Sequence, residues 1–258
     1  MHGVIAQLIW AFLCLILRHT YAQEPDECAR VHAIIARGQG GGDDLNVMST
    51  LSDLILQQIP DSTTVGLPYD HENVLSNEAK RLTVHDGAVL MQEFIEEYLE
   101  SCPDTKLVVI GYSMGAIVMM DAICGTSQVG FLFVAPLERS YNESIIAAIA
   151  YGDETYVPGM PWNVGNCTLG IGVSISLTPI SPSTMKHSLK CGYELIPRMN
   201  AALCDPFGSS LHSYCDYGDE QCCSPYPADG NAAHHTYVNK YNQNVVEFIK
   251  HRLATFKV

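Results

Sequence analysis

The most constraining stretch of the chain is Leu107-Val108-Val109-Ile110-Gly111-Tyr112-Ser113-Met114-Gly115. A short run rich in β-branched residues predicts a buried central parallel strand. It runs into a serine flanked by glycine two residues before and two after, and the largely apolar stretch to Cys124 predicts a helix, with Gly125 as its C-terminal cap. A serine exposed on so tight a strand-to-helix turn tolerates only small residues at those two flanking positions. The turn also sets Ser113 at a helix N-terminus, where the amide of Met114 is free to hold a developing oxyanion. The pattern predicts Ser113 as a nucleophile for acyl transfer.

A nucleophilic serine needs a base, and the base an acid that orients it. On a strand–turn–helix elbow their chain order is serine, then Asp or Glu, then His. Downstream lies Ser213-Tyr214-Cys215-Asp216-Tyr217-Gly218-Asp219-Glu220-Gln221-Cys222-Cys223, then Ala233-His234-His235-Thr236-Tyr237. Asp216 and Asp219 both qualify by spacing as the acid. Among the later histidines, His187 and His212 precede the acid, and His251 falls inside a closing helix beside Lys250 and Arg252. His234 and His235 remain as adjacent candidates for the base.

The flanking sequence places this elbow in one α/β domain. Val31–Ala36 predicts a buried strand ending in the glycine-rich run 37–42, and Ile145–Tyr151 predicts another buried strand. Leu45–Ile59, His85–Ser101 and Val245–Phe256 have helical spacing. Residues 155–206, rich in Pro, Gly, Ser and Cys, are expected to be long connections. Strands alternating with helices imply a parallel sheet covered on both faces.

Residues 1–22 predict a cleaved signal peptide: an apolar run over 4–17, then small residues at Thr20 and Ala22. That run is short for a bilayer span, and no second one follows, so a secreted protein without stable membrane insertion is expected, its mature domain being residues 23–258. A net charge of −14 argues against nucleic acid and anionic membranes as partners, and is compatible with a neutral polymeric substrate. Of ten cysteines, Cys14 lies in the leader; the other nine, in an exported chain, predict disulfides with one thiol left over. No Cys-x-x-Cys, His-x-x-x-His or His-Glu-x-x-His pattern supports a metal, and the proposed chemistry needs no cofactor. Asn142-Glu143-Ser144 and Asn166-Cys167-Thr168 are glycosylation sequons.

These motifs, taken in order, resemble the fungal cutinases and acetylxylan esterases over nearly the whole mature chain. The resemblance runs through Cys28 with Ala36-Arg37-Gly38, Cys102-Pro103, the Gly-Tyr-Ser-x-Gly elbow, Cys124-Gly125, Tyr151-Gly152-Asp153, Asn163-Val164-Gly165-Asn166-Cys167, the Cys215–Cys223 run and His234-x-x-Tyr237. The Asn-Val-Gly-x-Cys and double-cysteine features are more similar to the acetylxylan esterase branch. The resemblance implies a single-domain α/β-hydrolase: a three-layer sandwich with a central, mostly parallel five-stranded sheet. It implies Asp219 as acid and His234 as base, with Gln39 joining Met114 in the oxyanion hole. It implies disulfides Cys28–Cys102, Cys124–Cys204, Cys167–Cys223 and Cys215–Cys222, leaving Cys191 unpaired in an insertion over 174–200. The implied activity is that of a monomeric serine esterase acting on plant cell-wall esters, acetylated xylan or cutin. Three departures stand out: Gln39 where the family has Ser or Thr, Met114 where it has Gln, and a longer segment between Cys223 and His234. Gln39 and Met114 also motivate the alternative of a non-catalytic binding or effector protein that kept the fold.

Overall fold

A computed structural model describes residues 28–40, 45–168, 196–223 and 232–256. The expected leader over 1–22, Cys191 with most of the expected insertion over 174–200, and residues 224–231 before His234 lie outside the described residues.

Among the described residues, six strands form one sheet: β1 (Val31–Ala36), β2 (Ser62–Gly66), β3 (Lys106–Tyr112), β4 (Ile145–Tyr151), β5 (Asn163–Val164) and β6 (Leu211–Tyr214). Their order is β2-β1-β3-β4-β6-β5, and every pairing is parallel. The α/β sandwich is as expected. The sheet has six strands rather than five because the two-residue β5 pairs Asn163 and Val164 with Ser213 and Tyr214 on its far edge.

Four α-helices cover the faces: α1 (Ser49–Gln58), α2 (Asn77–Ser101), α3 (Met114–Cys124) and α4 (Tyr237–Thr255). α2 packs on α3 against one face and α1 on α4 against the other. Alternation within the strands separates the two cores. Ile34 and Val109 pack in the α2–α3 layer; Ala33, Ile35, Val108 and Ile110 pack in the α1–α4 layer. Every residue of β1 is buried, as a strand covered on both faces requires. Every residue of α3 is buried as well, which explains why its sequence is apolar all round rather than striped.

Two helices are longer than their apolar stripes indicate. α2 begins at Asn77, not near His85, because the Ser76 hydroxyl caps it by accepting from the Ala79 amide at 3.1 Å. Its first turns carry Glu78, Lys80 and Arg81, which give no apolar signal. α4 begins at Tyr237, eight residues before Val245, since its early inward positions are Tyr237 and Asn242.

β1 connects outward to β2 on one side, and the chain then returns to lay β3 on the other. In parallel α/β sheets such a reversal opens a crevice beyond the carboxyl ends of the two diverging strands. Here those ends deliver Arg37-Gly38-Gln39 from β1 and Tyr112-Ser113 from β3.

Candidate active site

Ser113 occupies the turn between β3 and α3 with φ 55° and ψ −126°, a conformation that L-residues rarely adopt. Holding a non-glycine residue there costs about 1–3 kcal/mol, which the surrounding packing must supply. The two glycines show how tight the turn is. A Cβ on Gly111 would lie 2.3 Å from the Gly115 carbonyl oxygen, and one on Gly115 would lie 2.1 Å from that of Ala36. The elbow is therefore packed against both its own helix and the end of β1. The Ser113 amide donates to the Tyr151 carbonyl at 2.8 Å, tying the turn to β4.

The Ser113 hydroxyl lies 2.9 Å from His234 Nε2. The opposite ring nitrogen, Nδ1, lies 3.0 and 2.9 Å from the two carboxylate oxygens of Asp219. His234 and Asp219 are buried, 5% and 0% exposed, so this polar chain runs inward from the cleft wall, where Ser113 and the edge of His234 lie, to a carboxylate sealed in the protein. Asp219 Oδ1 also accepts from the Gln221 amide at 2.8 Å, and Oδ2 from the Tyr237 hydroxyl at 2.7 Å.

The residues that spacing left open are separated by this geometry. Asp216 turns its carboxylate to the Asn166 amide (3.1 Å), the Tyr241 hydroxyl (2.8 Å) and Lys240 Nζ (2.7 Å), so it ties the loop to α4. His235 is exposed and, among the described residues, meets His234 in an edge-on ring contact.

The four cysteine pairs Cys28–Cys102, Cys124–Cys204, Cys167–Cys223 and Cys215–Cys222 are bonded. The last closes the small loop that carries Asp216 and Asp219. Cys167, Cys215 and Cys223 bring their sulfurs within 4.8 Å of one another, a spacing that would suit a metal, but all three are engaged in disulfides.

Met114 is fully buried in the α2–α3 core, so its side chain does not face the cleft. Its amide sits at the first position of α3, where a helix has no carbonyl one turn back to accept it. Gln39 lines the cleft beside Ser113 and His234, but its carboxamide donates to the Val74 carbonyl at 2.9 Å. The side chain therefore joins two walls. The loop beneath it is anchored by Arg37 to the Gly40 carbonyl (2.6 Å), by His71 Nδ1 to the same oxygen (2.9 Å), and by the Tyr69 hydroxyl to the Arg37 carbonyl.

The cleft has a volume of about 580 Å³. Val74 and Leu75 lie on one wall and Phe131 and Ile196 on others, with Asn77 and Gln221 among the polar groups. Lys80, from the first turn of α2, pairs with Glu154 just beyond β4, bridging two sides of the cleft. Tyr112 stacks on the His234 ring at 5.3 Å and donates to the His234 carbonyl at 2.8 Å. Burial, and then the nearby Asp219 charge, push the Tyr112 phenol up to about 12, so it stays a neutral donor. Sequence reasoning missed the Lys80–Glu154 pair, which no local pattern marks, and noted Tyr112, Gly152 and Tyr237 only as motif landmarks, without the contacts they make.

Residues 27–253 match the family model described as Cutinase. The chain belongs to the cutinase family. Among its relatives in that family, Cutinase 11 of Verticillium dahliae is 26% identical over 236 residues, covering 89% of this chain and 71% of that protein. Acetylxylan esterase 2 of Talaromyces purpureogenus is 25% identical over 237 residues, covering 90% of each. The solved catalytic core domain of acetyl xylan esterase from Trichoderma reesei superposes with a TM-score of 0.66 at 27% identity, covering 88% of this chain and all of that one. The chain is thus a carboxylic ester hydrolase by kinship. In this member of the cutinase family Met114 is absorbed by the core, while Gln39 ties two walls of the cleft.

Proposed function

We propose that this chain is a secreted serine esterase in which Ser113, His234 and Asp219 act as nucleophile, base and orienting acid, with plant cell-wall esters as substrates. The observation that carries this reading is the unbroken hydrogen-bond chain from the Ser113 hydroxyl through His234 to a fully buried carboxylate.

In this mechanism His234 Nε2 takes the serine proton as Oγ attacks the ester carbonyl carbon. The carbonyl oxygen becomes an oxyanion held by the amides of Met114 and Gln39, each donor contributing about 3 kcal/mol in the transition state. Collapse expels the alcohol, which receives the proton back from His234. Water, activated in the same way, then releases the acid from Ser113. Asp219 keeps Nδ1 protonated and offsets the charge on the imidazolium.

The polar groups of the cleft, Asn77, Gln221 and the Lys80–Glu154 pair, suit an acetylated polysaccharide better than a long aliphatic ester. Relatives named acetylxylan esterase support the same choice. Four disulfides among the described residues, the leader at 1–22 and the sequons at Asn142 and Asn166 support export, and the protein is proposed to act as a monomer. Asn166 is exposed and the more accessible of the two asparagines, whereas the Asn142 side-chain oxygen is buried.

Turnover of p-nitrophenyl esters of increasing acyl length by the parent and by Ser113→Ala tests the reading. The expected result is strong activity on acetate, falling with chain length and abolished in the variant. Equal inertness of the two proteins, with no labelling of Ser113 by an organophosphate, would overturn it.

A further inference from the structure

We infer that Tyr237 is a positioning residue of this site: its hydroxyl fixes the Asp219 carboxylate against His234 and sets how strongly that carboxylate holds the protonated imidazole. The inference rests on the Ser113–His234–Asp219 reading and extends it by one residue.

Tyr237 opens α4 and is fully buried. Its hydroxyl donates to Asp219 Oδ2 at 2.7 Å and accepts from the Asp216 amide at 3.0 Å. The amide of the disulfide-framed loop thereby aims the phenol proton at the carboxylate, since the phenol oxygen is already engaged as an acceptor. Tyr237 does not line the cleft, and its ring is held by stacking on Tyr151 at 5.8 Å. The hydroxyl is thus locked from both ends, and a locked donor on Oδ2 restricts rotation of the carboxylate that faces Nδ1.

The other ionisable groups around this pair serve different contacts. Tyr112 from β3 faces the His234 ring and backbone. The Tyr151 hydroxyl donates to Asn242. The Asp216 carboxylate faces Lys240 and Tyr241 on α4. His235 meets the His234 ring edge-on, and Glu220 follows Asp219 in the loop. Burial raises Tyr237 and Tyr151 well above the ordinary phenol range, and Tyr112 to about 12, so these phenols remain neutral donors through the acid limb.

A carboxylate that loses a hydrogen-bond donor becomes more basic and stabilises the neighbouring imidazolium more strongly. Tyr237→Phe is therefore expected to move the acid limb of the kcat/KM profile to higher pH by up to about one unit. It should lower kcat by about tenfold to a hundredfold, the range for a hydrogen bond to a charged group, with KM little changed. Site-specific incorporation of 2,3-difluorotyrosine at 237 keeps the hydroxyl but makes it a stronger donor, so the limb should move to lower pH; this arm remains decisive if Tyr237→Phe does not fold. An acid limb unmoved in both proteins would overturn the inference. Asp219→Asn and Ser113→Ala separate the two levels. If both retain parental turnover, the underlying triad fails and the role of Tyr237 with it. If both are inactive while Tyr237→Phe matches the parent in kcat and pH profile, only the role of Tyr237 fails.

Discussion

Gly152 lies directly against the imidazole of His234: a Cβ at 152 would come within 2.8 Å of both Nδ1 and Cε1, and within 3.0 Å of Asp219 Oδ2. Its backbone is in the left-handed region at φ 59°, so a side chain is disfavoured twice over. Gly152→Ala is expected to displace the ring from Ser113 and reduce kcat by at least about tenfold, because sub-ångström misplacement of a catalytic group is costly. Steady-state kinetics on p-nitrophenyl acetate, with circular dichroism to confirm the fold, would check this. Parental kcat in a folded variant would contradict it.

The two aspartates of the Cys215–Cys222 loop should separate cleanly by phenotype. Asp219→Asn removes the charge facing Nδ1, and kcat should drop by about 10⁴. Asp216→Asn weakens contacts to Asn166, Tyr241 and Lys240, costing about 1–3 kcal/mol of stability, while turnover per folded molecule stays close to that of the parent. Kinetics paired with urea unfolding of each variant distinguishes the two roles.

Arg198 pairs with Asp121 on α3, the helix that follows the serine, both buried, and its other arm donates to the Gly125 carbonyl at 2.7 Å. Desolvation raises the Asp121 carboxyl, and the Arg198 charge is what opposes that rise most. Arg198→Met would strand the carboxylate, destabilising the fold by about 3–5 kcal/mol. Adding Asp121→Asn to that variant should recover part of the loss. Urea midpoints of the parent, single and double variants measure the coupling.

Acid sensitivity has a specific contributor in His32. It stacks on Tyr98 at 3.8 Å and places Nδ1 2.7 Å from the Thr63 hydroxyl. Burial lowers it from 6.5 to about 4, so the fold favours the neutral ring. Its contribution is therefore complete above pH 6.5 and is lost as the pH falls from there toward 4, by about 3 kcal/mol at most. His32→Gln should be less stable than the parent at pH 7.5, with the gap in Tm narrowing at pH 4.5. A gap that stays constant or widens would show that His32 is not a source of acid lability.

Gln39→Ala keeps the backbone amide and removes the tie to Val74. Turnover of acetate esters should fall less than about tenfold, since the oxyanion donor survives. Longer acyl chains should gain relative to acetate as the Val74–Leu75 wall loosens. A chain-length series on both proteins gives the ratio directly.

What could be read from the sequence divides along the range of the interactions involved. The elbow was legible because the small residues its tight turn requires lie within five positions of one another, and β1, β3 and β4 were legible because burial on both faces writes largely apolar runs. β2 was not: Ser62, Thr63 and Thr64 sit on an edge strand, where little apolar patterning is needed. β6 is four residues long and contains His212 and Ser213, too short and too polar to stand out. Spacing alone could not choose between Asp216 and Asp219, since both lie in one disulfide loop and differ only in which way the fold turns them. Tyr237 was visible as a residue but not as a donor, because its partner is 18 positions away and only the docking of α4 brings them together.

The cross-links also determine what a protease can do to this molecule. A single cut anywhere between Cys28 and Cys102, between Cys124 and Cys204, or between Cys167 and Cys223 leaves both fragments joined through sulfur. From Cys28 to Cys223, the stretch between Cys102 and Cys124 is spanned by none of the four bridges among the described residues. Beyond the exposed turn at Pro103 and Asp104, that stretch is β3, the serine turn and α3, whose side chains are almost entirely buried. One nick inside any of those three spans would therefore leave a chain broken in sequence but whole in linkage, with its serine still attached.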